Sequence, residues 1–203
     1  MVKKTNLKEK KYSPYRKYVA LIILLAILFV FVFQSIETEE PTNNLPFEFF
    51  FDEDSNFWYT YLQFPNTQEN VSVPFYYNPY QLEGIIIERD IEEVILNQTI
   101  NSIIITVPPD VSSKVVIAGM EISRFTGERY LGIPTGSGLN KPYQNSPVIT
   151  CSDADENNVI ISFEKGIFNS VTSKNNCITI QFKEDEDAIK VADAFSYKLL
   201  KII

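Results

Sequence analysis

The amino-acid sequence predicts a domain of the α+β or α/β class, in which two helices cover a mixed sheet. An aromatic-rich β meander precedes that sheet, and one N-terminal transmembrane helix precedes the meander. Three observations carry this prediction. Residues 18–36 contain no charged side chain. Residues 47–77 hold short aromatic and β-branched runs separated by turn-forming residues. From residue 83 onward, strand-like runs alternate with segments of helical periodicity.

The apolar segment 18–36 is long enough to span a membrane. Its nineteen residues would form a helix of about 28 Å, close to the ~30 Å hydrocarbon core of a bilayer. A cleaved signal peptide would have a shorter apolar region and small residues at its cleavage site. The bulky Phe33 stands where a small residue is needed. We therefore predict an uncleaved signal anchor that holds the chain in the lipid bilayer through residues 18–36.

Charge is distributed unevenly along the chain. Residues 1–17 carry seven basic residues and one acidic residue, whereas the rest carries 25 acidic and 11 basic residues. Basic flanks of a transmembrane segment stay in the cytosol. We therefore expect a single-pass protein of the cell membrane with its N-terminus cytosolic and its C-terminal domain outside. The acidic outer part would repel phosphate groups, so nucleic acid is not expected as a partner. The expected organisation is a basic cytosolic tail (1–17), the anchor (18–36), a stalk (37–46) and an extracytoplasmic globular domain (47–203).

Three strands are predicted in the first part of the domain, at 47–51, 57–64 and 71–77. Turn-forming stretches, DEDSN and PNTQEN, separate them, which is typical of an antiparallel meander. Trp58, Tyr59 and Tyr61 lie in the second strand and are candidates for a binding face. The alternative is that these aromatic residues fill the core and make cross-strand pairs, with every other side chain pointing inward.

The second part of the domain is predicted to contain a βαβ unit. A strand at 102–107 precedes a helix that begins at Ser112 or Ser113 and ends at Phe125, and a strand at 130–133 follows. This order makes the two strands parallel. Residues 134–147 contain three prolines and two glycines and are predicted as a loop that is a candidate for binding. The other predicted elements are strands at 84–88, 148–151, 158–163 and 177–182 and helices at 90–96 and 184–203.

The terminal helix carries apolar residues on one face, so it is expected to belong to the core rather than to form a tail. Phe195 and Leu199 lie on that face and are expected to be buried. Four acidic residues at 184–187 stand at its N-terminal end, where negative charge is favourable.

Histidine is absent from the chain. This excludes Ser-His-Asp and Cys-His catalysis and His-ligated zinc sites. Acidic clusters at 52–54, 153–156 and 184–187 lack the ligand spacing of a calcium-binding loop. A solvated turn is therefore favoured at 153–156, with a calcium site as the alternative. Ser162 and Lys165 match the pattern S-x-x-K, but the match falls in a predicted strand and its companion motifs are missing. We therefore predict no catalytic residue, no cofactor and no metal site.

Two cysteines and two asparagines are candidates for covalent modification. Cys151 and Cys177 are the only cysteines, and both belong to the predicted outer domain. Cysteine pairs outside the cytosol usually oxidise, so a disulfide is predicted, with two free buried thiols as the alternative. Asn70 and Asn97 begin Asn-X-Ser/Thr sequences, which are glycosylation acceptors on the outer side.

Four stretches of the C-terminal part carry a resemblance to known proteins. They are PVITC at 147–151, NNVIISF at 157–163, NNCITI at 175–180 and DAIKVADAFSYKLLKII at 187–203. Together with the anchor, they resemble the uncharacterised single-span proteins of archaeal envelopes. The strand order with paired cysteines also resembles segments of archaeal surface-layer proteins. The resemblance implies an envelope location and an outer domain ending in Cys-bordered strands and a helix, and it implies no functional residues.

These features favour a single-pass envelope protein whose acidic outer domain binds or scaffolds a partner. The expected partner is another envelope or membrane protein, a surface layer or a polysaccharide. The first alternative is a carboxylate-based, glycosidase-like hydrolase, because paired Asp and Glu side chains need no histidine. The second is an accessory subunit of a membrane complex that makes its contact through the transmembrane helix. That helix lacks two small residues four apart, since Ala20 and Ala26 are six apart.

Overall fold

A computed structural model describes Tyr15, Tyr18, Val19, Leu24 and the ranges 47–63 and 70–203. The chain divides into two compact units, Met1–Asn44 and Leu45–Ile203. In the first unit, the four described residues are helical and exposed. Apart from three of them, the predicted anchor at 18–36 lies outside the described residues. Within the described part of the chain, no helix has the length and apolar character needed to cross a membrane.

A three-stranded antiparallel sheet begins the second unit. Its strands are β1 (Phe50–Asp52), β2 (Phe57–Gln63) and β3 (Asn70–Phe75), and β2 lies between the other two. Thr60 and Leu62 of β2 are buried on the same face as Val73 and Phe75 of β3, because alternate residues of a strand share a face. The predicted antiparallel meander is confirmed.

A six-stranded mixed sheet forms the larger part of the unit. Its strands are β4 (Ile86–Ile87), β5 (Ser102–Val107), β6 (Thr135–Leu139), β7 (Asn158–Lys165), β8 (Ser170–Lys174) and β9 (Cys177–Phe182). They lie in the order β4-β8-β9-β7-β5-β6. Strands β6, β5, β7 and β9 are parallel, whereas β8 is antiparallel to β9 and parallel to β4. The prediction of a mixed sheet is confirmed.

Two helices pack on each other and on the sheet. The helices of the unit are α1 (Glu93–Leu96), α2 (Ser113–Thr126) and α3 (Asp187–Leu199), and 3-10 turns occur at Pro79–Leu82 and Cys151–Asp153. Helix α2 begins where predicted, because the Ser112 hydroxyl accepts a hydrogen bond from the Lys114 N–H at 3.3 Å. It connects β5 to its parallel neighbour β6, so the predicted βαβ unit is also confirmed.

Three details of the mixed sheet were predicted wrongly. The second strand of the βαβ unit is Thr135–Leu139, which lies inside the predicted loop 134–147, and the segment 130–133 is not a strand. The segment 148–151 holds only a single bridge, between Val148 and Leu139, before a 3-10 turn. Strand β8 was not predicted. Strands β6 (TGSGL) and β8 (SVTSK) are hidden by their Gly, Ser and Lys residues, because Gly and Ser favour turns and Gly and Lys are depleted in strands.

The core has two parts, and both depend on α3. The larger part lies between the mixed sheet and the two helices and contains Phe195 and Leu199, which confirms the prediction that the terminal helix belongs to the core. The smaller part joins the three-stranded sheet to the helices. There Phe75 stacks on Tyr197 and on Phe125, with ring centroids 4.0 Å and 5.1 Å apart.

Candidate functional site

An apolar groove with a volume of about 680 Å³ lies between helix α2 and strand β6. Ile105 and Val107 of β5 and Leu139 of β6 supply apolar lining from the sheet. Val116 and Met120 line the groove from α2 and retain 45% and 64% of their accessible surface. Large apolar side chains are usually covered in a monomeric domain when they share a concave surface, so an open apolar groove is typical of an interaction site.

The groove stays open because β6 has no bulky side chain beneath the exposed part of α2. The sequence of β6 is TGSGL; all five residues line the groove, and the first four have small side chains or none. Helix α2 approaches the neighbouring strand β5 closely at Gly119, where an added Cβ atom would lie 3.4 Å from Cγ2 of Ile105. The helix therefore contacts β5 closely and leaves a gap over β6.

Most of one edge of β6 presents backbone groups that have no hydrogen-bond partner in the described part of the chain. The Ile103 N–H donates to the Pro134 carbonyl, and the Asn140 N–H donates to the Val107 carbonyl. Even-numbered residues of β6 thus bond to β5, and odd-numbered residues direct their N–H and C=O groups outward. The Leu139 carbonyl confirms this, because it accepts from the Ile149 N–H at 2.8 Å. Among the described residues, no hydrogen bond reaches the outward backbone groups of Thr135 and Ser137.

The other edge strands of the described sheets are short or protected. Strand β4 has two residues and β1 has three. Strand β3 has six residues but contains Pro74, which supplies no N–H to a further strand. Strand β6 has five residues and contains no proline, charged residue or bulge. Natural proteins usually protect such an edge, so its exposure beside an apolar groove indicates a role.

The groove carries almost no net charge at its polar end. Arg124 lines it there, but its guanidinium group forms an ion pair with Glu121 and donates to the Pro74 carbonyl at 2.8 Å. Both charges are more than three-quarters buried. The described residues that line the groove include no Asp or Glu side chain.

A second, polar pocket of about 460 Å³ lies beyond the ends of β5 and β7. Its groups largely satisfy each other, because the Asn140 amide donates to the Ser162 hydroxyl at 3.1 Å and to the Phe163 carbonyl at 2.8 Å. The Ser162 hydroxyl donates to Glu164 at 3.3 Å. Lys165 instead pairs with Asp185 at 3.4 Å. Ser162 and Lys165 do lie on a strand, as predicted, and they point to opposite faces of it.

A buried carboxyl group joins α3 to the end of β3. Asp193 has no accessible surface, and its Oδ2 accepts a hydrogen bond from the Tyr77 N–H at 2.8 Å. Burial raises the pKa of this carboxyl well above its ordinary value, and the nearby Glu121 raises it further. The Tyr197 hydroxyl donates to the Tyr77 carbonyl at 2.6 Å. Both backbone groups of Tyr77 are thus held by α3, which is a structural role rather than a catalytic one.

The two cysteines form the predicted disulfide. Cys151 and Cys177 are bonded, with Cα atoms 5.2 Å apart. The bond ties the 3-10 turn Cys151–Asp153 to the first residue of β9. It therefore fastens the connection between β6 and β7 across the sheet. Asn70 and Asn97 are both exposed, and their glycosylation stays a prediction.

The three aromatic candidates do not share one face. Tyr59 lies opposite Phe50 in the sheet. The Tyr61 ring also contacts the Phe50 ring, and these two ring centroids are 6.2 Å apart. Tyr61 is 55% exposed. Trp58 lies opposite Phe75 on the face that turns toward the core, and its ring lies 5.1 Å from that of Phe51. Tyr59 and Tyr61 therefore lie together on the outer face, whereas Trp58 is partly buried on the other.

The groove residues were not among the predicted site residues. The only signal was the loop 134–147, which contains β6 and was a candidate for binding. Among the residues described in the structure, no three His, Cys, Asp or Glu side chains are placed to hold a metal ion. Comparison with protein-family models, curated proteins and solved structures found no match to this chain.

Proposed function

We propose that this chain is a single-pass membrane protein of the cell envelope whose acidic outer domain binds a partner protein. The groove between α2 and β6 is the observation that carries the binding role. It combines an apolar lining, exposed Val116 and Met120, and an unprotected strand edge. These are the features of a surface that another protein covers.

Three properties of the chain support the membrane and envelope part of the proposal. The segment 18–36 has the length and apolar character of a membrane span. The basic residues before it and the acidic domain after it favour an outward orientation of the domain. The disulfide between Cys151 and Cys177 is typical of an oxidising compartment outside the cytosol.

Binding is favoured over hydrolysis by the distribution of acidic groups. Of the described carboxyl groups, Asp193 is the fully buried one, and its contacts hold the backbone of Tyr77. Glu164 in the polar pocket has a basic neighbour, Lys165, that is bound to Asp185. This arrangement provides neither a pair of carboxyl groups facing one substrate nor a deep cleft that excludes water.

The proposal is tested on the full chain in its own membrane. Protease added to intact cells should degrade the domain after residue 37 and leave the tail at 1–17 protected. A photo-reactive amino acid placed at Met120 should form discrete adducts with an envelope protein. The matched control carries the same photo-reactive group at Lys174, which is exposed on β8, four strands from β6 in the sheet. This control should not form the adducts.

Three outcomes would contradict the proposal. An intact domain with an accessible tail would reverse the orientation. Identical adducts at Met120 and Lys174, or none at Met120, would show that the groove is not a site of contact.

A further inference from the structure

We propose that the groove receives an extended polypeptide segment of the partner, which adds to β6 as a further parallel strand of the sheet. This inference rests on the proposed function, because it states which kind of partner the groove binds. Strand addition uses backbone hydrogen bonds for affinity and pockets for alternate side chains for selectivity. The edge of β6 offers the backbone hydrogen bonds, and the groove beside it offers a pocket for the side chains.

The backbone of β6 provides the hydrogen-bonding pattern. The outward groups of Thr135 and Ser137 are two N–H donors and two C=O acceptors, spaced as in the rest of the sheet. Thr135 also fixes the strand end, because its hydroxyl bonds that of Thr126 at 2.8 Å and donates to the Ile133 carbonyl at 3.0 Å. The edge is thus already ordered, and a partner segment meets it without ordering β6 first.

The chain itself shows the direction in which a strand adds. Val148 makes a parallel bridge to Leu139, and the Ile149 N–H bonds the Leu139 carbonyl. This contact covers the C-terminal end of the edge with one residue and ends there. A partner segment that runs in the same direction as Val148 occupies the remaining part, opposite Thr135 and Ser137.

The groove also defines the chemistry of the partner segment. Alternate side chains of an added strand point toward α2, where Val116, Met120 and Val107 offer apolar contact. Apolar side chains at every second position match this lining. Residues 47–203 carry 22 acidic and 11 basic residues, a net charge of −11 (11 − 22). The partner segment is therefore neutral or basic along its solvent side.

A random twelve-residue peptide library, selected on the full chain in detergent micelles, supplies the probe. Enriched peptides should have apolar residues at every second position. Ser137→Pro removes an outward N–H without removing a bond to β5. It should weaken binding of an enriched peptide about tenfold or more, because one hydrogen bond is lost and the ring obstructs the added strand. Ser137→Ala keeps the N–H and should bind as the native chain does.

Met120→Glu places a charge beside the apolar lining and should also weaken binding, whereas Met120→Leu should not. Met120 is 64% exposed, so neither change should disturb folding. A further measurement uses the native chain. The peptide is N-methylated either at its odd-numbered or at its even-numbered backbone positions. One of these two sets carries the N–H groups that face β6, so methylation of that set should abolish binding and methylation of the other set should leave binding unchanged.

The results separate this inference from the proposed function. No enriched peptide, equal binding by the Ser137→Pro chain, or equal tolerance of N-methylation at all positions would overturn strand addition. If adducts at Met120 still formed in membranes, the groove would bind its partner in another way and the proposed function would stand. Protease results that reverse the orientation would overturn the proposed function and leave peptide binding by β6 unaffected.

Discussion

Replacing Asp193 by asparagine tests the effect of a buried carboxyl group on the stability of the domain. Burial holds the pKa of Asp193 well above its ordinary value of 3.8 in the folded state. The folded state therefore binds a proton that the unfolded state releases above pH 3.8. The stability contributed by the protonated group is fully present below that pH, and it is lost as pH rises toward and through the folded pKa.

The size of the effect follows from proton linkage. Within the window between the two pKa values, the free energy of unfolding falls by about 1.4 kcal/mol for each pH unit because of this one group. The asparagine side chain of the Asp193→Asn chain cannot ionise, and its oxygen can still accept from the Tyr77 N–H. The free energy of unfolding of the Asp193→Asn chain minus that of the native chain should therefore rise by this amount per pH unit between the ordinary pKa of 3.8 and the raised folded pKa, and level off above it.

Urea unfolding of the full chain in detergent micelles provides the measurement. The fluorescence of Trp58, the single tryptophan of the chain, reports the transition at each pH. Taking the difference between the two chains cancels the contributions of titrating groups that do not interact with Asp193. A difference that stays flat with pH, or falls as pH rises, would refute the conclusion that burial raises the pKa of Asp193.

Asp185 is a control of opposite sign. The Ser112 N–H donates to its carboxylate at 2.8 Å, and this hydrogen bond lowers the pKa of Asp185 below 3.8. Its contribution to stability is present above pH 3.8 and is lost as pH falls through the lower folded value. Asp185→Asn should thus destabilise the domain at neutral pH and have no effect in strong acid. A penalty that grew in acid would contradict this assignment.

Three further predictions concern the elements that hold the domain together. Cys151→Ser and Cys177→Ser should each lower the free energy of unfolding by about 3.5 kcal/mol, since the bond closes a loop with a sequence separation of 26. The variant with both substitutions should lose no more free energy of unfolding than either single variant. A larger loss in the double variant would show that the two cysteines contribute to stability separately. Phe195→Ala should cost about 3–5 kcal/mol because Phe195 is fully buried. Met120→Ala, at an exposed position of α2, is its control and should change stability by less than about 0.5 kcal/mol. Equal losses of stability in the Phe195→Ala and Met120→Ala chains would contradict the assignment of Phe195 to the core. Tyr197→Phe removes the bond to the Tyr77 carbonyl and should cost about 1 kcal/mol in the same urea assay; an unchanged midpoint would show that this bond adds nothing.

Local signals in the sequence were sufficient for several elements. The strand 102–107 was predicted with the bounds it has, because an uninterrupted run of β-branched residues ends at two prolines. The start of α2 was predicted from its capping serine, and the burial of Phe195 and Leu199 from helical periodicity. In each case the residues that determine the structure lie within one turn or one strand of each other.

Strand β6 could not be predicted in the same way. Its sequence TGSGL has the composition of a turn, and it is extended because β5 supplies hydrogen bonds along its inner side. The groove depends on the same pairing, since it exists only where α2 passes over small side chains. Strand β8 is a second example, because it is held between β4 and β9 rather than by its own propensity.

The sequence by itself determined the apolar segment 18–36, the charge asymmetry, the absence of histidine and the class of the fold, because composition and short-range periodicity express these directly. Only the tertiary structure decided which polar residues are buried and which strand edge is open. Asp193 lies on a helix between apolar neighbours, and nothing local distinguishes it from an exposed acid. It is buried because α3 is covered by the mixed sheet on one side and by the segment around Tyr77 on the other. Burial and exposure of this kind arise from contacts between residues far apart in the chain, and those contacts exist only in the folded domain.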